Sequence, residues 1–221
     1  MKKMLFKVLS VMLVMVLISS QAFAQAQDFI IRATISPASG VEFVVSKVTA
    51  DANGNITSFI VQNTTTLDFA TLPFVTKDPQ GNTLNIFLPQ FFWAIDVGSL
   101  GAGNPDVQVK YVDQQNPNTT AGSTRAGLTK KGILTSFRVE QSTNQQGDLV
   151  DNPILLGSNT LSGFIGAGQT VNETQINGGF LRFFLGISTG ATGEAAGAEP
   201  FTALDAPGTY SGTLTLTATF D

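Results

Sequence analysis

The end of the chain alternates strictly between apolar and polar side chains. Every second residue from 209 to 219 is threonine or serine, and the positions between them carry Tyr210, Gly212, Leu214, Leu216, Ala218 and Phe220. Because successive side chains of a strand point to opposite faces, this pattern predicts a half-buried β-strand. Burial of its large apolar side chains would stabilise the fold by roughly 1.5–3 kcal/mol each. We therefore expect this strand to close the core.

The same period of two recurs along the chain. Residues 28–35 place Phe29, Ile31, Ala33 and Ile35 on one face. The other predicted strands are 41–49, 56–63, 64–76 with a break near Pro73, 84–97 with a bend at Pro89, the run through Val107 and Tyr111, 133–141, 154–156, 161–165, 171–176 and 180–188. Polar turns separate them, and the Gly/Ala-rich residues 189–206 are predicted to be a mobile connection. Many short strands of this kind indicate an all-β fold, an immunoglobulin-like or jelly-roll-like antiparallel β-sandwich.

The first residues read as a targeting signal. Lys2, Lys3 and Lys7 precede the apolar stretch 8–18, and Ala22-Phe23-Ala24 has the small-x-small form of a cleavage site. This predicts a cleaved signal peptide over 1–24 and a single β-sandwich domain over 25–221. The protein would be secreted, to the periplasm, the cell surface or the medium. No later apolar run reaches the ~20 residues of a spanning helix, so no membrane insertion of the mature chain is expected.

Charge and composition narrow the possible functions. Residues 25–221 keep all 16 acidic residues but only nine of the 12 basic ones, a net charge of about −7, which argues against nucleic-acid binding. The chain has no histidine and no cysteine, which excludes serine–histidine and cysteine–histidine catalysis and histidine metal sites. We therefore predict no enzymatic activity, no cofactor and no metal. A close pair of carboxylates in a cleft remains the one enzymatic alternative.

Two local motifs have competing interpretations. Asp51, Asn53 and Asn55 resemble the start of a calcium loop, but glycine and an acid are missing at the sixth and twelfth positions, so a hairpin turn is favoured. Phe91-Phe92-Trp93 could form a platform for a ligand or a partner. A strand buried on both faces explains this aromatic run more simply.

The C-terminal pattern resembles that of pilin subunits of the chaperone–usher type and related spore-coat-like secreted sandwiches. The features that carry the resemblance are the alternating strand, the penultimate Phe220 and Gly208 at the fourteenth position from the end. The resemblance implies an incomplete immunoglobulin-like fold that a neighbouring subunit completes with its N-terminal strand. Phe29, Ile31, Ala33 and Ile35 would be the donated face, and the partners would be further copies, other surface subunits and a secretion chaperone.

Two functions are therefore open. The first is a cell-surface structural subunit, fimbria-like or coat-like, that self-associates through strand pairing. The second is a monomeric extracellular module that binds carbohydrate or a protein partner. For the first, the strand 28–35 would pair between chains, whereas a self-contained sandwich would pair it within its own chain.

Overall fold

The computed structural model describes residues 27–36, 41–51, 56–99, 105–114, 132–139, 154–171, 180–191 and 194–220. These residues form an all-β sandwich, as predicted. The strands are β1 (Gln27–Ser36), β2 (Val41–Ala50), β3 (Ile56–Gln62), β4 (Thr66–Leu72), β5 (Phe74–Lys77), β6 (Thr83–Phe87), β7 (Phe92–Ser99), β8 (Pro105–Gln114), β9 (Gly132–Val139), β10 (Ile154–Thr160), β11 (Gln169–Val171), β12 (Phe180–Ile187) and β13 (Gly208–Phe220). The breaks predicted near Pro73 and Pro89 separate β4 from β5 and β6 from β7, because proline cannot donate to a ladder.

The strands assemble into two main sheets and a small one. The order is β11-β8-β13-β1-β4 in the five-stranded sheet and β10-β9-β12-β7-β2-β3 in the six-stranded sheet, with β5 and β6 as a separate pair. The neighbours are antiparallel except for β1 and β13, which run parallel from Gln27 opposite Gly208 to Ser36 opposite Thr217. The prediction of an antiparallel sandwich therefore needs correction at this one pair of described strands.

The core lies between the two main sheets. In β13, Tyr210, Leu214 and Leu216 are fully buried and Ala218 is nearly so, while the threonines between them are half-buried. The side chain of Phe220 lies outside the described residues. The Tyr210 hydroxyl donates a 2.7 Å hydrogen bond to the Ala206 carbonyl. This bond has the geometry of a tyrosine corner, and it holds the start of β13 against the connection before it.

Tyr111 and Gly212 fit together within the five-stranded sheet. A Cβ atom on Gly212 would lie 2.1 Å from the Tyr111 hydroxyl, so the missing side chain makes room for the ring. The hydroxyl donates a 2.6 Å hydrogen bond to Asp113. Burial, together with the negative charge of Asp113, raises the pKa of Tyr111. The phenol therefore stays neutral and keeps its proton for this bond.

Residues 161–165 were predicted to form a strand, and this prediction is wrong. Leu161–Phe164 forms a 3-10 helix in which Leu161 and Phe164 are both buried. Residues three apart face the same side in such a helix. The spacing of these two apolar residues therefore suits the helix better than a strand, which would point them to opposite faces.

The predicted mobile connection over 189–206 is instead packed against the sandwich over its described part. Phe201 is fully buried, and its ring meets that of Tyr210 edge-on at a centroid distance of 4.8 Å. The backbone N–H of Phe87 donates to the Phe201 carbonyl at 2.8 Å. The Phe201 side chain thus anchors the connection in the core, although its high glycine and alanine content had indicated mobility.

The edge strand β4 contains a bulge at Ala70. The register with β1 shifts between Asp28 and Ile30, and Ala70 has a left-handed φ of 57°. Its N–H donates to the Asp68 carboxylate at 2.8 Å. This conformation costs an L-residue about 1–2 kcal/mol, whereas glycine adopts it freely.

We therefore expect Ala70→Gly to raise the free energy of unfolding by about 1 kcal/mol, measured by urea denaturation. Thr66→Gly is the matched control on the same exposed strand, because no positive φ is found at that position. It should lower the stability by about 0.5–1 kcal/mol, the usual cost of glycine in a strand. An Ala70→Gly protein no more stable than the parent would contradict the assignment of strain to this residue.

Candidate functional site

A buried ion pair lies on the outward face of the six-stranded sheet. Asp96 of β7 and Arg182 of β12 stand opposite each other in the antiparallel register. The Arg182 Nε donates to Asp96 Oδ1 at 2.6 Å and its Nη2 donates to Oδ2 at 2.8 Å. Both side chains have no exposed surface. This is the two-pronged geometry in which a guanidinium binds a carboxylate most strongly.

Aromatic rings surround this pair. The guanidinium carbon of Arg182 lies 4.3 Å from the ring centroid of Phe59, 5.0 Å from that of Phe180 and 5.9 Å from that of Phe184. Phe92 meets Phe184 edge-on at 5.2 Å. We call Phe59, Phe92, Phe180 and Phe184 the outer cluster. Ring faces attract cations, so the cluster stabilises the guanidinium charge while keeping water away from it.

The residues opposite and beside the pair on this face are small or β-branched. Val48 and Ala94 are fully buried, and Val44 is nearly so. The hydroxyl of Ser46 is also buried, and no hydrogen-bond partner for it is found among the described residues. The central strands β2, β7 and β12 are therefore largely buried on both faces, against the core on one side and under the outer cluster on the other.

Burial raises the pKa of Asp96 to about 6, and the hydrogen bonds and charge of Arg182 act in the opposite direction. Both carboxylate oxygens accept hydrogen bonds from the same guanidinium. With both oxygens engaged, the pair is arranged to neutralise two buried charges and to join β7 to β12. This geometry indicates a structural role for Asp96 and Arg182, which is to fix the alignment of β7 with β12.

The sequence analysis did not single out Asp96 or Arg182. A signal was nevertheless present, because each is a lone charge inside an otherwise apolar strand and the two charges have opposite sign. Buried charges are almost always paired. Two such interruptions, one in each of two predicted strands, are therefore candidates for partners across a sheet.

The structure places the predicted donor strand β1 inside the five-stranded sheet, next to the edge strand β4. Ile31 and Ala33 of β1 are buried in the core. The two edges of β1 are occupied by β13 and β4 of the same chain. The side chains of Phe29 and Ile35 lie outside the described residues. Pairing of β1 between chains stays a prediction.

The described acidic residues do not assemble into a metal site. No group of three or more potential ligands is found among the described residues, and Asn53 and Asn55 of the calcium-like motif lie outside them. Glu194 instead anchors the connection, accepting hydrogen bonds from Ser188, from Thr189 and from the N–H of Gly190. Its burial would raise the pKa of Glu194, but these hydrogen bonds outweigh burial and lower it.

Phe91 and Trp93 of the aromatic run pack into the core and Phe92 is half-buried on the opposite face, in agreement with the simpler interpretation. Phe91 is 9% exposed and Trp93 is 5% exposed, while Phe92 belongs to the outer cluster. The chain has one tryptophan and two tyrosines, and all three are buried. None of these rings is therefore available at the surface to stack on a sugar.

Comparison of the chain with protein-family models, with curated proteins and with solved structures finds no match. Within the described residues, no helix is both long enough and apolar enough to cross a membrane.

Proposed function

We propose that the protein is a secreted, cell-surface structural subunit that self-associates through strand pairing, with β1 as the exchanged strand. The observation that carries the proposal is the position of β1. It is the first strand of the described chain, yet it lies inside the five-stranded sheet, between β13 and the edge strand β4. A strand at the start of the described chain can leave this position and be replaced while the other strands keep their connections.

β1 makes long contacts with its neighbours in the sheet and with the core. β1 pairs with ten consecutive residues of β13, and its side chains Ile31 and Ala33 complete the core. Removal of β1 would leave unpaired backbone on β13 and β4 and an open apolar groove between them. Another strand therefore has to occupy the position of β1. A β1 strand from an identical chain makes the same contacts, which is why exchange of an identical element is a low-cost route to assembly.

A monomeric carbohydrate-binding module receives less support. Such modules present Tyr or Trp rings, which combine an apolar face with a polar handle. Trp93, Tyr111 and Tyr210 all point into the protein. A monomeric module that binds a protein partner remains the other candidate. It differs from the structural subunit in that its chains would not associate with one another.

Engineered cysteines test the exchange directly, because the chain contains no cysteine of its own. Thr34 of β1 and Thr215 of β13 are register partners. We expect chains carrying only Thr34→Cys, co-expressed with chains carrying only Thr215→Cys, to form a disulfide-linked heterodimer after mild oxidation. The control replaces Thr215→Cys with Val112→Cys, on an exposed position of β8.

A heterodimer yield equal to that of the control would count against exchange. So would a Thr34→Cys/Thr215→Cys double variant that forms only an intramolecular disulfide at every concentration. In that case β1 pairs within its own chain, and the self-contained sandwich is correct.

A further inference from the structure

The strand β3 forms one edge of the six-stranded sheet. In the described part of the chain its only strand neighbour is β2. Ile60 and Val61 are 52% and 43% exposed, so each face of the sheet carries one large, exposed apolar side chain at this edge. The strand Ile56–Gln62 contains no charged residue and no proline. An edge of this kind is a template for another strand.

The other edges of the two main sheets carry features that oppose pairing. β4 has the bulge at Ala70 and an exposed charge at Asp68. β10 has a register shift next to Gly157, whose φ is 154°. β11 is only three residues long. Bulges, charges and short length are the usual means of blocking an edge. β3 has one register shift, at its start near Thr57, and residues 58–62 carry none of these features.

The sequence of β3 is complementary to itself. If two copies run antiparallel about a two-fold axis at Ile60, then Ile60 faces Ile60, Phe59 faces Val61 and Ser58 faces Gln62. Over residues 58–62, every apolar side chain meets an apolar one and every polar side chain meets a polar one. Aromatic and β-branched residues directly opposite each other are favourable cross-strand pairs, and no like charges oppose one another.

The Ile60 carbonyl of β3 accepts a 3.3 Å hydrogen bond from the side-chain amide of Gln62 in the same strand. This flexible side chain would have to move before a second strand could bond to the carbonyl. A backbone N–H of a second strand would satisfy it with better geometry, since 3.3 Å is long for an N–H···O bond.

We infer that β3 pairs with β3 of a second copy of this chain about a two-fold axis at Ile60. The two six-stranded sheets then become one continuous sheet, and Ile60 and Val61 lose their exposure to water. The contact is separate from the exchange of β1, because β1 belongs to the five-stranded sheet. A subunit with both contacts would have two independent ways to join its neighbours.

Ile60→Lys tests the contact in the purified full chain, because it places two like charges at the two-fold axis. Sedimentation velocity should show smaller assemblies for Ile60→Lys than for the parent protein, because only the contact through β1 remains. The control is Val112→Lys, which adds the same charge at a 65%-exposed position away from this edge and should keep the assembly size of the parent. A thermal melt of each variant checks that folding is unchanged.

A single cysteine then tests the register. Ile60→Cys should form a disulfide dimer readily, because the introduced thiol faces the same thiol of the second copy. Thr57→Cys should crosslink slowly, because Thr57 faces Asn63 in this register. Equal crosslinking at both positions would overturn the proposed pairing, as would a parent protein that stays monomeric at all concentrations. Ile60→Lys assemblies of the same size as those of the parent would overturn the β3 contact, whereas absence of the crosslink between positions 34 and 215 with the Ile60→Cys crosslink kept would overturn β1 exchange alone.

Discussion

Replacing Asp96 with alanine is expected to lower the free energy of unfolding by about 3–5 kcal/mol. The substitution leaves the Arg182 guanidinium in a fully buried position without its carboxylate. Water cannot replace the lost oxygens, because the rings of Phe59, Phe180 and Phe184 enclose the site. The loss should appear in urea denaturation followed by circular dichroism.

A double substitution separates the cost of an unpaired charge from the value of the pair. In Asp96→Val with Arg182→Met, both charges are replaced by apolar groups that suit the outer cluster. A buried pair exchanged for packed apolar residues is often neutral or stabilising, so this variant should recover most of the stability lost in Asp96→Ala. Non-additivity of this kind is the mark of two residues in direct contact.

Glu42→Ala is the matched control, since Glu42 is an exposed acid of the same sheet. It should change the stability by no more than about 0.5 kcal/mol. Asp96→Ala with a loss below about 1 kcal/mol would show that water reaches the Arg182 side chain after all, at odds with a site closed by the outer cluster.

Phe201→Ala is expected to cost about 3–5 kcal/mol, the range for truncation of a buried aromatic side chain. The ring has no exposed surface and packs edge-on against Tyr210, whose own hydroxyl is bonded to the connection. Its removal would leave a cavity beneath β13 and free the connection from the core. The same urea experiment measures the loss.

Leu204→Ala provides the comparison, because Leu204 belongs to the same connection but is 80% exposed. Its removal should change the stability by no more than about 0.5 kcal/mol. If Phe201→Ala were as mild as Leu204→Ala, the connection would not be part of the cooperative unit. Hydrogen exchange at the Phe87 N–H, which is bonded to the Phe201 carbonyl, would report the detachment directly.

The local pattern of the sequence was sufficient to predict most strands and their buried faces. In β13 the alternation identifies Tyr210, Leu214 and Leu216 as the core face, and their burial agrees with it. The reason is that a strand has a period of two, so one buried face imposes a visible alternation. The breaks at Pro73 and Pro89 were predictable for an equally local reason, the missing N–H of proline.

The tertiary structure alone decided how these strands are joined. The parallel alignment of β1 with β13, the pairing of Asp96 with Arg182 across 86 positions and the docking of Phe201 all depend on contacts between distant segments. A period of two states which face of a strand is buried, but it contains no information about the neighbouring strand or its direction. The open edge of β3 became visible for the same reason, since the end of a sheet is a property of the assembled order of strands.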